Sequence, residues 1–418
     1  MKHIFYAKLL LMIGLISNSL FSQEIHCKLR GNVIGENSKF LILVNERENP
    51  SHNGVKIPII GGHFEYELKT SFAEKYSLIF ENELDAYRPI SFFTENGIVE
   101  FLLHPSQEFD KNIIKGGMLT NKMIAFEKEQ KNIFNSKAKP FKRELDTLWN
   151  SNGYFSEAVN ALYEKGKGLE NGEELNRLYK MRDELLETDK GYTPKTWLLK
   201  NKMDSIQKIV FDWQNKYIKT NQDIFSYSLL QNTVQQYKQV KKNIDLDFIS
   251  NLFSIYSKKY PLHPYTKQIR EMLNGIKTIK VGSQFIDFSA PTIEGKVVKV
   301  SEIVAGKVAV IDMWASWCGS CRVTSKSYIP VYEKYKDKGF VIVGVAGEYK
   351  NTNAFKIAIE KDKYPWLSLI ELDNENGIWN KYNISNSGGS TYLVDSKGVI
   401  LAINPNAEQL EKFLGELL

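Results

Sequence analysis

Cysteine is scarce in this chain: there are 3 in 418 residues, at positions 27, 318 and 321. That is too few for a scaffold stapled by disulfides. Histidine is absent where it would matter most, since none of the 6 follows His263. A Cys–His pair within the last third of the chain is therefore excluded. No stretch approaches the ~20 consecutive apolar residues that span a bilayer. Single-signed charge is lacking too. The net charge is +6, and Lys and Arg interleave with Asp and Glu through the middle of the chain, as on a solvated helical surface. Without a concentrated basic stripe or a binding motif, a nucleic-acid partner is not expected.

Apolar residues make up 43% and charged residues 25%, near globular averages, so the bulk of the chain should fold. Its length argues for two or three domains. The first residues read differently. Lys2 and Lys8 flank the start of a short apolar run, Leu9 to Ile16, followed by Ser17, Asn18 and Ser19. That is the layout of a cleaved signal peptide over residues 1–22, with cleavage near Ser22 or Gln23. It implies a periplasmic or cell-envelope location. A lipid anchor at Cys27 is disfavoured, because Glu24-Ile25-His26 lacks the small residues that attachment requires.

Three regions follow. Residues 23–117 read as a small antiparallel β domain, a sandwich or barrel. His63-Phe64-Glu65-Tyr66-Glu67-Leu68-Lys69 alternates as a half-buried strand should, and Gly61-Gly62 would turn the chain from Val55–Ile60 into a tight hairpin. Residues 118–275 read as a central α-helical region of five or six segments. There Phe248, Ile249, Leu252, Phe253 and Tyr256 recur at helical spacing before Pro261. Residues 276–418 alternate strands (307–313, 340–346, 367–371, 390–394, 398–403) with helices (319–337, 351–362, 374–382, 407–417), which predicts an α/β domain.

The chemistry concentrates in Val308-Ala309-Val310-Ile311-Asp312-Met313-Trp314-Ala315-Ser316-Trp317-Cys318-Gly319-Ser320-Cys321-Arg322. A buried strand runs into a turn, and Cys318 lands where a helix begins. Unpaired N–H groups and the helix dipole favour a thiolate there, lowering its pKa below the free value of about 8.5. Cys321, three positions on, is close enough to close a disulfide, and its more interior position suits a resolving role. Helix-end electrostatics, with Arg322 or Lys326 nearby, must supply what a histidine would. Two other readings compete. Half a zinc site lacks its remaining ligands, since neither a second pair nor a local His, Asp or Glu cluster is present, so no metal is expected. A purely structural disulfide would close a tiny loop for little gain and leave the two tryptophans unexplained. Redox chemistry is the favoured reading.

Residues 281–418 resemble the thioredoxin superfamily, and more narrowly the TlpA/ResA-type exported disulfide reductases. The resemblance rests on Trp-Ala-Ser-Trp-Cys-Gly-Ser-Cys-Arg at 314–322, on Val281-Gly282, Phe285 and Phe288-Ser289-Ala290-Pro291, and on Gly295-Lys296 and Gly306-Lys307. Phe340–Tyr382 is similar to the strand-and-helix insertion of these proteins. The β-then-helical layout before it resembles Bacteroidetes envelope proteins that carry such a domain at the C-terminus. The resemblance implies a thioredoxin-like fold and catalytic roles for Cys318 as attacking thiol, Cys321 as resolving thiol and Asp312 as a buried acid relaying a proton to or from Cys321. It also implies substrate contacts at Trp317, Gly319, Ser320, Gly388 and Gly389. No soluble cofactor is implied. The expected partners are disulfides of exported proteins and a membrane thiol as electron donor. Two departures stand out: Gly319-Ser320 replaces the commoner Gly-Pro, and Gly389 occupies the place of the family's cis-proline. A cis bond before a non-proline residue costs ~2.5–4 kcal/mol, so this loop is expected to be trans or mobile. The activity implied is protein-disulfide reduction. An alternative is a redox-sensing envelope module whose residues 24–275 bind a partner. A peroxidase is disfavoured, because the Pro and Thr expected upstream of a peroxidatic cysteine are absent around Cys318.

Overall fold

A computed structural model describes residues 24–35, 38–48, 50–84, 86–169, 173–240, 245–349, 351–384 and 388–418. The signal peptide expected over residues 1–22 lies outside them. The chain falls into two compact units, one formed by the residues up to Thr120 together with Asp223–Leu418, the other by Asn121–Gln222.

The N-terminal β domain is a sandwich. One sheet orders β4 (His63–Thr70), β1 (Ile25–Val33), β7 (Gly97–Leu103) and β8 (Ile113–Lys115); the other orders β3 (Val55–Pro58), β2 (Phe40–Asn45), β5 (Lys75–Phe80) and β6 (Ile90–Phe93). Inward residues of both sheets, among them Leu29, Leu41, Leu78, Phe92 and Phe101, share one apolar core. Two details depart from the sequence reading. The pair β1/β7 is parallel, although the other pairs are antiparallel. And Gly61-Gly62 does not join a paired hairpin. Only Ile60 and His63 bridge across it, after which β3 and β4 diverge into different sheets. Alternation marks each strand but does not say which sheet it enters.

Residues 121–222 form a helical unit. Helix α1 (Met118–Asn150) enters it and runs through Pro140 as one helix. Phe126 stacks on Trp213 with centroids 4.7 Å apart. Helices α2 (Glu157–Gly166) and α4 (Pro194–Thr220) are capped by Ser156 and Thr193, and α3 (Glu173–Leu186) lies between them in sequence. The later helices α5 (Ile224–Val240), α6 (Leu246–Lys259) and α7 (Pro264–Thr278) belong to the other unit. Within that unit the Tyr265 hydroxyl accepts from the Lys75 N–H at 3.2 Å, and a Cβ on Gly275 would meet the carbonyls of Asn380 and Lys381. Helix α7 therefore packs against both the β domain and the C-terminal domain.

The C-terminal domain is a five-stranded sheet ordered β13 (Leu367–Leu372), β12 (Phe340–Glu348), β11 (Val308–Trp314), β14 (Ser390–Val394), β15 (Ile400–Ile403). The first three are mutually parallel, β14 is antiparallel to β11, and β15 is antiparallel to β14. Every residue of β11 is buried, as expected of a central strand covered on both faces. The hairpin β9 (Ser289–Pro291)/β10 (Val297–Lys299) and the short α8 (Val300–Val304) precede it. The helix expected over 319–337 is split into α9 (Gly319–Ser327) and α10 (Ile329–Tyr335). Pro330 accounts for the split, since it has no N–H and its ring clashes with the preceding turn. Helices α11 (Asn353–Asp362), α12 (Ile378–Lys381) and α13 (Ala407–Leu417) complete the domain. The thioredoxin-like architecture, with β13 and α11 added beside β12, is as the sequence predicts.

Candidate functional site

The site forms where β11 leaves the sheet. Cys318 caps α9, and its Sγ accepts the Cys321 N–H at 3.3 Å, one of the orphan donors of the helix start. Cys318 and Cys321 are joined in a disulfide with Cα atoms 5.3 Å apart. The Ser320 hydroxyl lies 3.6 Å from Cys318 Sγ.

One expectation is reversed. Cys318 is only 5% exposed and Cys321 is half-buried, so Cys321 is not the more interior residue. Cys318 sits in the turn and joins the apolar cluster of Met313, Ala315, Ile378 and Ile384, while Cys321, one turn along α9, touches the clusters on both sides of the sheet. Any preference for Cys318 as attacker rests on its place at the helix end, not on exposure.

The turn itself is held from β12. Glu348, 3% exposed, accepts both the Ser316 N–H and the Ser316 hydroxyl at 2.7 Å, and burial pushes its carboxyl upward. The Trp317 indole donates to the Gly347 carbonyl at 3.1 Å. Its ring stacks on Tyr349 and lies 6.0 Å from Trp379, while 41% of Trp317 faces solvent. Gly319 and Ser320 beside it are exposed. Trp314 is fully buried against Phe355 and Tyr364.

The expected help from Arg322 and Lys326 is not available to the sulfurs. Arg322 grips Asp362 in a two-pronged pair at 2.5 and 2.9 Å, and a third nitrogen donates to the Ser316 carbonyl at 3.3 Å. Lys326 lies 3.8 Å from the same carboxylate, and the Tyr364 hydroxyl donates to it at 3.0 Å. These positive charges are spent on a clamp that ties α9 to α11.

Asp312 sits in the middle of β11, 2% exposed, and burial pushes its carboxyl up to about 7 against a counteracting hydrogen bond. That bond comes from the Ser325 hydroxyl, 2.6 Å from Oδ2. The same hydroxyl is 3.0 Å from the Cys321 carbonyl, so Ser325 links the acid to the helix carrying the cysteines. Gly388 and Gly389 face the disulfide from the other side. No cis peptide occurs among the described residues, so the Gly389 bond is trans. The Gly389 N–H donates to Cys321 Sγ at 3.0 Å. A Cβ on Gly389 would fall 1.8 Å from the Met313 carbonyl oxygen, and one on Gly388 would reach 4.0 Å from Cys318 Sγ.

All the residues singled out from sequence therefore meet at one place, with Asp312 reaching it through Ser325. Cys27 stands apart as a free thiol in the β-domain core, raised by burial. Sequence reasoning missed Ser325, Glu348 and Asp362. Ser325 carried a usable signal, lying four residues after Cys321 on the same helix face. Glu348 and Asp362 carried none, because strand pairing and helix packing bring them from 32 and 40 residues away.

The AhpC/TSA family description matches residues 281–403. The chain is 33% identical over 121 residues to the thiol:disulfide interchange protein DsbE of Pseudomonas fluorescens, a match covering 29% of this chain and 64% of that protein. It is 30% identical over 126 residues to the thioredoxin-like protein YneN of Bacillus subtilis, covering 30% and 72%. Among solved structures, the thioredoxin domain of a Bacteroides vulgatus thiol-disulfide oxidoreductase matches 33% of this chain and 98% of its own, with 27% identity and a TM-score of 0.31.

Proposed function

The chain belongs to the thioredoxin-like thiol–disulfide oxidoreductases of the AhpC/TSA family, and from that premise we propose that it reduces disulfides of exported proteins in the cell envelope. The observation that carries this reading is Cys318 at the cap of α9, its sulfur receiving the Cys321 N–H, with the partner sulfur in bonding position. A helix start favours the thiolate form of the capping cysteine.

In the reduced protein the Cys318 thiolate attacks one sulfur of a substrate disulfide, forming a mixed disulfide and expelling the first substrate thiolate. The Cys321 thiolate then attacks Cys318 Sγ, closes the bond observed here and releases the second substrate thiolate. Two electrons pass from the cysteine pair to the substrate. Restoring the pair needs an external dithiol, proposed to be a membrane thiol relay. Asp312 is suited to take up and return a proton as Cys321 ionises, because a carboxyl near 7 exchanges protons readily at neutral pH. Substrate would approach over Trp317, Gly319 and Ser320, which are exposed beside the sulfurs. Export rests on the Lys-flanked apolar leader. Among the described residues no helix is long and apolar enough to cross a membrane.

A Cys321→Ser protein tests the reading. It should accumulate mixed disulfides through Cys318 with envelope proteins, while the wild type reduces a model protein disulfide when supplied with a dithiol. Absence of adducts together with an inert wild type would refute it.

A further inference from the structure

We propose that Gly389 is a positioning residue whose backbone N–H stabilises the thiolate of Cys321. The inference rests on the thiol-exchange reading of the cysteine pair and concerns how the second sulfur is served. The N–H points at Cys321 Sγ from 3.0 Å, across the site from α9. Cys318 has its own donor, the Cys321 N–H. The two sulfurs thus each receive one backbone hydrogen bond, from opposite sides of the disulfide.

The approach depends on the absence of a side chain at 389. A Cβ there would meet the Met313 carbonyl oxygen at 1.8 Å and Cys321 Sγ at 3.1 Å, so the loop lies on the end of β11 as only glycine allows. The φ of Gly389 is not in the left-handed region. Space, not backbone conformation, is what glycine supplies. A proline at this position would offer no N–H at all. The residue that departs from the family pattern therefore adds a donor that the pattern lacks.

The donor acts in a defined step. When an external thiolate attacks Cys318 Sγ, a new S–S bond forms, the Cys318–Cys321 bond breaks, and its electron pair stays on Cys321 Sγ as a thiolate. In the reverse direction that thiolate attacks Cys318 Sγ and expels the external thiolate. A hydrogen bond to the charged sulfur favours Cys321 as leaving group and raises the fraction ionised in the mixed disulfide. Hydrogen bonds to charged groups change such equilibria by roughly tenfold or more.

The test measures Cys321 acidity without turnover, so it is independent of whether the protein reduces any substrate. In a full-length Cys318→Ser background, the alkylation rate of Cys321 against pH gives its acid dissociation constant, with the modified peptide identified by mass. Gly389→Ala and Gly389→Pro each add the Cβ that pushes the loop off Met313 and Cys321, and the proline also lacks the N–H. The expected result is a dissociation constant about tenfold smaller in each variant than in the Gly389 parent. A folded proline variant with the parent's constant would overturn the proposal. If the collision with Met313 unfolds either variant, the glycine loop itself decides. In 15N-glycine-labelled Cys318→Ser protein the Gly389 amide resonance should shift along the same pH curve as Cys321 alkylation, and an amide that stays fixed through that range overturns the proposal.

Discussion

Replacing Asp312 by Asn exchanges one buried oxygen for an amide nitrogen and removes a charge from the centre of β11, leaving an oxygen that still accepts from Ser325. The consequence for stability follows from linkage. In the unfolded chain the carboxyl titrates near 3.8, and in the folded protein burial raises it to about 7. Between those values the folded state holds a proton that the unfolded state has lost, so the stabilisation present below pH 4 disappears as the pH rises to 7. At about 1.4 kcal/mol for each tenfold difference in proton affinity, the gap amounts to about 4 kcal/mol. The charge on Asp312 is felt by Tyr328 and Tyr364. Burial lifts Tyr328 to about 12 and Tyr364 higher still, so neither ionises in this window. Urea denaturation of the oxidised full-length protein and of Asp312→Asn, each at intervals from pH 4 to 8, should therefore give curves that nearly coincide at pH 4. By pH 8 the variant should be the more stable by up to about 4 kcal/mol. A difference that stays constant across this range would show that Asp312 does not carry its proton to neutral pH in the folded state, and the proton-exchange role assigned to it would fall with that.

Ser325→Ala removes the hydroxyl that lowers Asp312. The carboxyl should climb from about 7 to about 8 or above, given about 1.5–3 kcal/mol for a hydrogen bond to a charged group; the carboxyl stretch followed by infrared titration reads this directly, and an unchanged or lower midpoint contradicts it. Glu348→Ala leaves the Ser316 N–H without its acceptor beside the cysteines. A loss of about 1–3 kcal/mol in stability and a change in Trp317 fluorescence are expected, and a Glu348/Ser316 double-mutant cycle with no coupling energy would remove the bracing role.

The C-terminal domain was the most legible part of the chain, for a physical reason. Val308–Trp314, apolar but for Asp312, and Phe340–Ala346 are the near-continuous apolar runs of strands covered on both faces, and helical stretches separate them from the next strands. The cysteine spacing likewise placed the disulfide, because a helix start and an i+3 partner are local facts. What the sequence did not disclose depends on elements distant in the chain. Periodicity identified Val55–Ile60 and His63–Lys69 as extended but could not assign them to two sheets. Arg322 could be placed near the sulfurs by spacing, yet its charge is directed away from them by Asp362 on α11. Pro330 is a readable break that the helical pattern around it obscures, whereas Pro140 lies inside a helix that continues through it. A later position on the helix does not mean greater depth: the turn before the helix lies deeper, so Cys318 is the more buried cysteine.

The lack of histidine after His263 sets the terms for how this site handles charge. A thiolate here has no histidine of its own domain to pair with, and the two cations on the cysteine helix next to it, Arg322 and Lys326, face Asp362. What remains is backbone. Cys318 draws on the first turn of α9, and Cys321 draws on the Gly389 amide that the empty Cβ position lets come close. Backbone donors do not titrate and need no reorganisation when charge moves from one sulfur to the other, which suits a reaction whose electron pair changes owner at each step. The proton is dealt with separately, on the sheet side, by an acid whose burial holds it near neutrality and whose contact with the cysteine helix is the Ser325 hydroxyl. With one hydrogen and two acceptors, that hydroxyl donates to Asp312 when the acid is ionised. When the acid is protonated and donates to Ser325, the hydroxyl is free to donate to the Cys321 carbonyl. The protonation state of Asp312 is thereby coupled to the hydrogen bonding of the turn that bears Cys321, although no hydrogen bond joins the acid to the sulfur itself.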